Sequence, residues 1–172
     1  MNKIILTFLV CCYSFLISAA DSSKYSFSKI SKEEVYNFLY YTNSIQPMMP
    51  INIGQLEYCV PTESWIKDIY VPYLKEFLFK NGAAMAVDPD NNCVKFSNYA
   101  QTAGYLIHLH GEGPKKSTIA IGTVDYVKNL AIWHSINIFL ATDSKGNLKV
   151  VYFEPQTQTI IKDINDWIMV RL

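Results

Sequence analysis

Residues 130–154 read LAIWHSINIFLATDSKGNLKVVYFE, and this stretch decides the fold class. Its two halves are rich in β-branched and aromatic residues, which favour strands over helices. The residues between them, Asp143–Asn147, are typical of a tight turn, and Gly146 is suited to a left-handed backbone. The pattern predicts an antiparallel hairpin in which Leu130–Thr142 pairs with Leu148–Glu154.

Further strands are predicted on both sides of this hairpin. Residues 118–127 have the same β-branched and aromatic composition, and Thr157–Ile161 is a candidate for one more strand. We therefore expect the second half of the chain to form an antiparallel sheet.

The first half of the chain carries helix signals instead. Ser31 and Glu34 form an S-x-x-E capping box, which predicts a helix that begins there and ends before Pro47. An irregular stretch is expected from that proline to Pro61. Thr62 then has the side chain of an N-cap and predicts the start of a second helix.

The second helix is predicted to continue past Pro72 and to stop at Asn81-Gly82. A third helix is predicted to begin at Cys93, because the turn-forming segment Asp88–Asn92 ends on a good N-cap residue and apolar residues then recur at helical spacing. Gly111 is the expected end of this helix. Helices followed by an antiparallel sheet make an α+β fold.

The N-terminus has the three parts of a secretory signal peptide. Lys3 supplies a positive charge, Ile4–Ile17 is an uncharged apolar run, and small residues at 18–20 place the cleavage before Asp21. We expect residues 1–20 to be removed and residues 21–172 to form one domain, secreted or periplasmic, without a stable membrane span after cleavage. An uncleaved anchor is the alternative.

Charge and composition argue against nucleic acid as a partner and against a disordered chain. Lys and Arg number 15 and Asp and Glu also number 15, without a basic patch, so nucleic acid is not an expected partner. Half of the residues are hydrophobic, which is typical of a folded domain and not of a disordered chain. No cofactor is expected, and the sequence leaves the oligomeric state open.

Cys93, His134 and Glu154 are the candidate catalytic residues. Cys93 is predicted at a helix N-terminus, where free N–H groups and the helix dipole favour the thiolate. His134 is predicted to share an apolar strand face with Ile136 and Ile138. If the hairpin turn has an odd number of residues, Glu154 falls on the same face as His134, directly across or one diagonal away. A nucleophile, a base and an orienting carboxylate together suit thiol acyl transfer.

Each of these residues also has a structural alternative. His134 is suited to be a hydrogen-bonded core residue, and Glu154 to mark a strand end. Cys59 and Cys93 are the two cysteines after the signal peptide, and an even pair in an exported chain predicts a disulfide. The residue pattern alone leaves these alternatives open.

Metal sites are weakly indicated. His108, His110 and His134 are all the histidines of the chain, but the first two diverge on a helix, so zinc is not expected. Asp88 and Asp90 have oxygen ligands that suit calcium, yet their pattern is typical of a turn. No metal is therefore assigned.

Four segments appear in an order that resembles a known family: Asn92–Phe96, Ala120–Gly122, His134–Asn137 and Glu154–Thr157. They are similar to the papain-like cysteine-protease domain at the C-terminus of a mushroom agglutinin and to its bacterial and phage relatives. The likeness spans about residues 56–161. It implies a papain-like α+β domain, with helices that carry the cysteine packed on an antiparallel sheet that carries the histidine and the glutamate.

By this resemblance Cys93 is the nucleophile, His134 the general base and Glu154 the orienting acid. The chain departs from the family pattern next to the cysteine, where Asn92, Val94 and Lys95 replace acidic residues. The backbone N–H of Cys93 is the first expected oxyanion donor, and Gln55 and Gln101 are candidates for the second by residue type alone.

The resulting hypothesis is an exported cysteine peptidase or amide hydrolase that acts on a peptide or protein substrate. The first alternative is a catalytically inactive papain-like binding or interaction protein, with Cys93 inert or held in a disulfide with Cys59. A transglutaminase-like acyl transferase is a further alternative, because it would use the same three groups.

Overall fold

The computed structural model describes residues 25–43, 45, 47, 49–83, 93–110, 113–114, 118–128, 132–162, 164 and 167–172. The predicted signal peptide and the Asp88–Asn92 turn lie outside the described residues. The elements are, in chain order, β1 (Ser28–Ser31), α1 (Lys32–Asn37), a π-turn (Phe38–Thr42), β2 (Glu57–Val60), α2 (Glu63–Trp65), a second π-turn (Ile66–Tyr70), α3 (Val71–Lys80), α4 (Cys93–Leu106), a 3₁₀ turn (Ile107–His110), β3 (Thr118–Ile119), β4 (Ile121–Lys128), β5 (Ile132–Thr142), β6 (Leu148–Glu154), β7 (Thr159–Ile161) and β8 (Trp167–Arg171).

The helix starts in the first half of the chain are confirmed. At α1 the Ser31 side chain accepts from the N–H of Glu34, and the Glu34 carboxylate accepts from the N–H of Ser31, so the capping box is complete. At α2 the Thr62 hydroxyl accepts from the N–H of Trp65 at 3.2 Å. Gly82 has the positive φ of 68° expected where the second helical run, continued through α3, ends.

Five antiparallel strands form the large sheet, in the order β7-β6-β5-β4-β8. The predicted hairpin is its centre, and the Asp143–Asn147 turn separates β5 from β6. Gly146 has a φ of 82°, and the Asp143 carboxylate accepts the N–H groups of Lys145 and Asn147. Local turn chemistry thus favours the register in which β5 pairs with β6.

A second, three-stranded sheet was not predicted. Its order is β1-β2-β3, and β2 pairs in parallel with β3. The expectation of an irregular stretch up to Pro61 is therefore wrong over Glu57–Val60. The strand is only four residues long and its partners are distant in sequence, so no local pattern marks it.

Ala120 joins the two sheets. Its N–H donates to the Cys59 carbonyl in the small sheet, and its carbonyl accepts from the Leu140 N–H in the large one. Two residues later the chain must be glycine, because a Cβ on Gly122 would lie 2.1 Å from the Arg171 carbonyl oxygen. The short Ala120–Gly122 segment thereby fixes how β4 enters the large sheet.

The large sheet is covered on both faces. One face packs on α1 and the small sheet, and its buried residues include Ile136, Ile138 and Leu140 of β5. The other face packs on the helices after β2, through Phe139 and Phe153 among others. The fold class is therefore α+β, as predicted. Among the described residues, no helix combines the length and apolar character needed to cross a membrane.

Candidate functional site

Cys93 is the first residue of α4, as predicted, and its side chain is partly exposed. The structure contains no disulfide between Cys93 and Cys59: both side chains are thiols, and Cys59 is buried in the small sheet. The disulfide that the cysteine count suggested is therefore not formed. Cys93 retains the sulfur that a nucleophilic role requires.

Two buried polar residues tie the start of α4 to the large sheet. Ser97 donates its hydroxyl to the Cys93 carbonyl at 2.9 Å. The Asn137 side-chain amide donates to the Ser97 carbonyl at 2.9 Å and to the Gly122 carbonyl at 3.0 Å. Asn137 lies three residues after His134 on β5, so its side chain is on the opposite face of the sheet. One side chain thus connects the turn that carries Cys93 with β4 and β5.

His134 and Glu154 form a buried pair. The Nε2 of His134 lies 2.5 Å from Oε2 of Glu154, and the two side chains are 12% and 11% exposed. The register pairs Asn137 with Phe153, which places Glu154 one diagonal away from His134 on the same face of the sheet. This is the geometry predicted for an odd-numbered turn.

The carboxylate of Glu154 is held from a second direction. Its other oxygen, Oε1, accepts from the backbone N–H of Gln156 at 3.1 Å. With both oxygens engaged, the carboxylate has a fixed orientation and presents Oε2 to the imidazole. Because Nε2 is committed to Glu154, Nδ1 is the ring nitrogen of His134 that remains for a second partner.

The Cys93 thiol and the His134 imidazole, both of them described side chains, are not joined by a hydrogen bond in the structure. The geometry therefore assembles the His134–Glu154 half of the site and positions Cys93 on an adjoining helix.

Tyr126 is a site residue that the sequence analysis missed. It lies directly across from His134 in the β4–β5 register, and the two ring centroids are 5.7 Å apart in an edge-to-face arrangement. Burial raises the pKa of Tyr126, and repulsion from Glu154 and from the ionised form of Cys93 adds to this effect. The phenol therefore lies beside the His134–Glu154 pair, and the register that places it there is defined only by the assembled sheet.

The proposed side-chain oxyanion donors are not supported by their surroundings. The Gln101 amide donates to the Tyr105 hydroxyl at 2.7 Å and to the Ile121 carbonyl at 3.4 Å, so it is engaged elsewhere. Gln55 is exposed ahead of β2. The backbone N–H of Cys93, at the start of α4, is the donor that the fold leaves in the expected position.

Within the described residues, no cluster of three or more His, Cys, Asp or Glu side chains has a geometry that would hold a metal. The backbone of His108 and His110 forms the 3₁₀ turn after α4, but their side chains lie outside the described residues. Asp88 and Asp90, the calcium candidates, also lie outside them.

No protein-family model and no curated protein matches this sequence. Solved structures do match. A structure of PSL1a in complex with E64 has a TM-score of 0.62 and 16% identity, and the match covers 84% of this chain and 50% of that one. Polyporus squamosus lectin bound to the human-type influenza-binding epitope Neu5Acα2-6Galβ1-4GlcNAc has a TM-score of 0.64 and 13% identity, over 84% of this chain and 49% of that one.

The chain spans about half the length of these two structures. At such identities the likeness shows a shared fold. The fold is shared with about half of a mushroom lectin chain, which agrees with the resemblance to a mushroom agglutinin at the level of architecture.

Proposed function

We propose that this chain is a papain-like cysteine hydrolase of peptide or other amide bonds. The observation that carries the proposal is the largely buried contact between His134 and Glu154, at 2.5 Å, in a sheet whose strand β5 also packs against α4, the helix that begins with the Cys93 thiol. A histidine that is merely part of the core does not require a carboxylate fixed by a second hydrogen bond. The arrangement supports an oriented general base.

In the proposed reaction the Cys93 sulfur attacks the substrate carbonyl carbon. His134 accepts the thiol proton on Nδ1, while Glu154 stabilises the imidazolium through Nε2. The negative oxygen of the tetrahedral intermediate accepts a hydrogen bond from the backbone N–H of Cys93. His134 then protonates the leaving amine, a thioester remains on Cys93, and a water activated by His134 releases the acid and regenerates the thiol.

Thiol labelling of the full-length chain tests this proposal. Iodoacetamide and E-64, an epoxide that alkylates thiolates, are applied from pH 5 to pH 9, and the modified residue is located by peptide mapping. We expect Cys93 to react at pH 6 at least about tenfold faster than an ordinary thiol, and His134→Ala to abolish that advantage. A Cys59→Ala variant is the matched control and should label like the wild type, because Cys59 is buried.

Labelling at the rate of an ordinary thiol, unaffected by His134→Ala, would contradict the proposal. It would favour a second candidate, a binding protein that keeps the fold without the chemistry. The comparisons taken alone fit this candidate better, because a neighbouring structure is a lectin with a bound sialylated trisaccharide. The replacement of the family's acidic residues by Asn92, Val94 and Lys95 also favours it.

Export remains part of the proposal and has its own test. The signal sequence predicts a mature chain that starts at Asp21. N-terminal sequencing of the protein recovered from outside the cytoplasm should give that residue, and an intact Met1 would contradict cleavage.

A further inference from the structure

Three tyrosines are gathered on one exposed side of the first helical segment by a change of helix type. After α1 the chain forms a π-turn, in which the N–H of Asn43 donates to the carbonyl of Phe38, five residues earlier, at 3.0 Å. In a continuous α-helix, residues five apart diverge by about 140° around the axis. The wider π-turn reduces this divergence and brings Tyr41 to the side of Tyr36 and Tyr40.

These three residues form what we call the tyrosine patch. The rings of Tyr36 and Tyr40 are stacked, with centroids 5.6 Å apart and planes 8° from parallel. The ring of Tyr41 stands at 80° to that of Tyr40, with centroids 5.0 Å apart. Tyr41 is 70% exposed and Tyr36 is 38% exposed. The patch is therefore open to solvent, with the stacked rings of Tyr36 and Tyr40 as a platform and the ring of Tyr41 nearly perpendicular to it.

A cavity of about 450 Å³ continues from the patch along Tyr36. Its lining is completed by Lys32, Glu33 and the segment Ile51–Ile53. The Asn52 backbone is fixed beside it, since its N–H donates to the Val170 carbonyl at 2.9 Å and its carbonyl accepts from the Leu172 N–H at 2.8 Å. The polar groups at this cavity stand on anchored backbone.

The charges and polar groups around the patch select a ligand class. One lysine, one glutamate and one asparagine amide offer donors and acceptors without a net charge. An anionic partner such as a nucleic acid would need an excess of basic side chains, which this surface does not have. Exposed aromatic rings present negative faces, to which the weakly positive C–H groups of a sugar ring are attracted.

We propose that the tyrosine patch and the adjoining cavity bind a neutral oligosaccharide. Pyranose rings pack their C–H faces on Tyr36 and Tyr41, and their hydroxyl groups exchange hydrogen bonds with Lys32, Glu33 and Asn52. The π-turn is the device that assembles the platform, in line with the frequent occurrence of π-turns at functional sites. The site does not include Cys93, so this proposal can be tested independently of the thiol chemistry. It also gives a location for ligand binding in the second candidate function, the binding protein.

The test is an NMR titration of the ¹⁵N-labelled chain with triacetylchitotriose and with N-acetyllactosamine, each up to about 20 mM because weak, millimolar binding is sufficient for detection. We expect amide shifts confined to residues 32–43 and 51–53. Tyr41→Ala should weaken binding at least about tenfold, whereas Tyr41→Phe should retain most of it because the ring face is kept. Phe79→Ala removes another aromatic side chain, 80% exposed on α3, and should leave binding unchanged.

The Cys93→Ala variant should bind these sugars like the wild type, which separates this inference from the proposed hydrolase. Tyr41 is mostly exposed, so its substitution should leave the melting temperature within about 2 °C of the wild type. The absence of shifts at these residues with both sugars would overturn the proposal. So would equal binding by Tyr41→Ala, or stronger binding of a heparin disaccharide or an acidic peptide than of either neutral sugar.

Discussion

Glu154 and Glu63 are both carboxylates with two partners, but their surroundings differ. Glu154 contacts His134 and the Gln156 N–H, and its side chain is 11% exposed. Glu63 contacts Lys67 and Lys149, and its side chain is 25% exposed, with lysines more open still. A carboxylate that faces lysines in water contributes little to stability, whereas one that is largely enclosed with an imidazole is held in a fixed orientation toward it. Burial, not the number of contacts, separates the candidate site from the surface.

The largest expected effect is at the buried carboxylate. Glu154→Gln keeps the shape of the side chain but removes the charge that, in the proposed mechanism, stabilises the His134 imidazolium. We expect the rate of Cys93 labelling at pH 6, and of any amide hydrolysis, to fall at least about a hundredfold. The matched control is Glu63→Gln, which should leave both rates unchanged. Equal rates in wild type and Glu154→Gln would remove the carboxylate from the proposed mechanism.

The same comparison can be made between a buried side-chain amide, that of Asn137, and an exposed one, that of Asn81. Asn137→Ala removes a buried side-chain amide that donates to the Ser97 and Gly122 carbonyls, and it should cost about 2–4 kcal/mol of unfolding free energy. Asn81→Ala removes an exposed amide that donates to the Phe77 carbonyl, and it should cost less than about 1 kcal/mol. Urea denaturation of both variants measures the difference, and similar losses would contradict the role of burial.

The next prediction concerns the Tyr126 phenol and the dependence of stability on pH. The pKa of Tyr126 is raised, so the folded chain keeps the phenol neutral at a pH where the unfolded chain ionises it. The contribution of this group to stability is therefore complete below about pH 10 and is lost as pH rises further. Tyr126→Phe should lose less unfolding free energy than the wild type between pH 9 and pH 11, and denaturation at both values measures this. An identical loss in the two proteins would show that the phenol is not shielded.

The smallest effect is expected at Glu63. Its pKa is lowered by hydrogen bonds from Lys67 and Lys149, so the stabilisation is present above the ordinary carboxyl pKa and disappears as pH falls through the lower, folded value. Glu63→Gln should cost less than about 1 kcal/mol at pH 7, and less again in 1 M salt. Thermal melts at pH 7 and pH 3 check this. A larger loss at pH 3 than at pH 7 would reverse the assigned sign.

Much of the fold was predictable because its signals are local. The Ser31 and Thr62 caps, the Gly146 turn and the long β5 strand each follow from a few adjacent residues. The pairing of His134 with Glu154 was predictable for the same reason, since counting residues through one turn decides which side chains share a face.

The elements that were missed depend on distant partners. β2 exists because β1 and β3 pair with it, and β8 because β4 does. Tyr126 acquires its place from a register that only the assembled sheet defines. The approach of α4 to the sheet brings the Asn137 amide to the Ser97 carbonyl, a contact that no spacing in the sequence encodes.

The Asp143–Asn147 turn has an evolutionary consequence. The pairing of Thr142 with Leu148 across it keeps His134 and Glu154 on one side of the sheet, because a strand reverses the facing of its side chains with every residue of slippage. A longer or shorter loop leaves the pair intact as long as this pairing is kept, whereas a slip of one residue would carry Glu154 to the opposite side unless a bulge compensated. Homologues that keep the pair should therefore vary the loop itself while they preserve the pairing of the two strand ends.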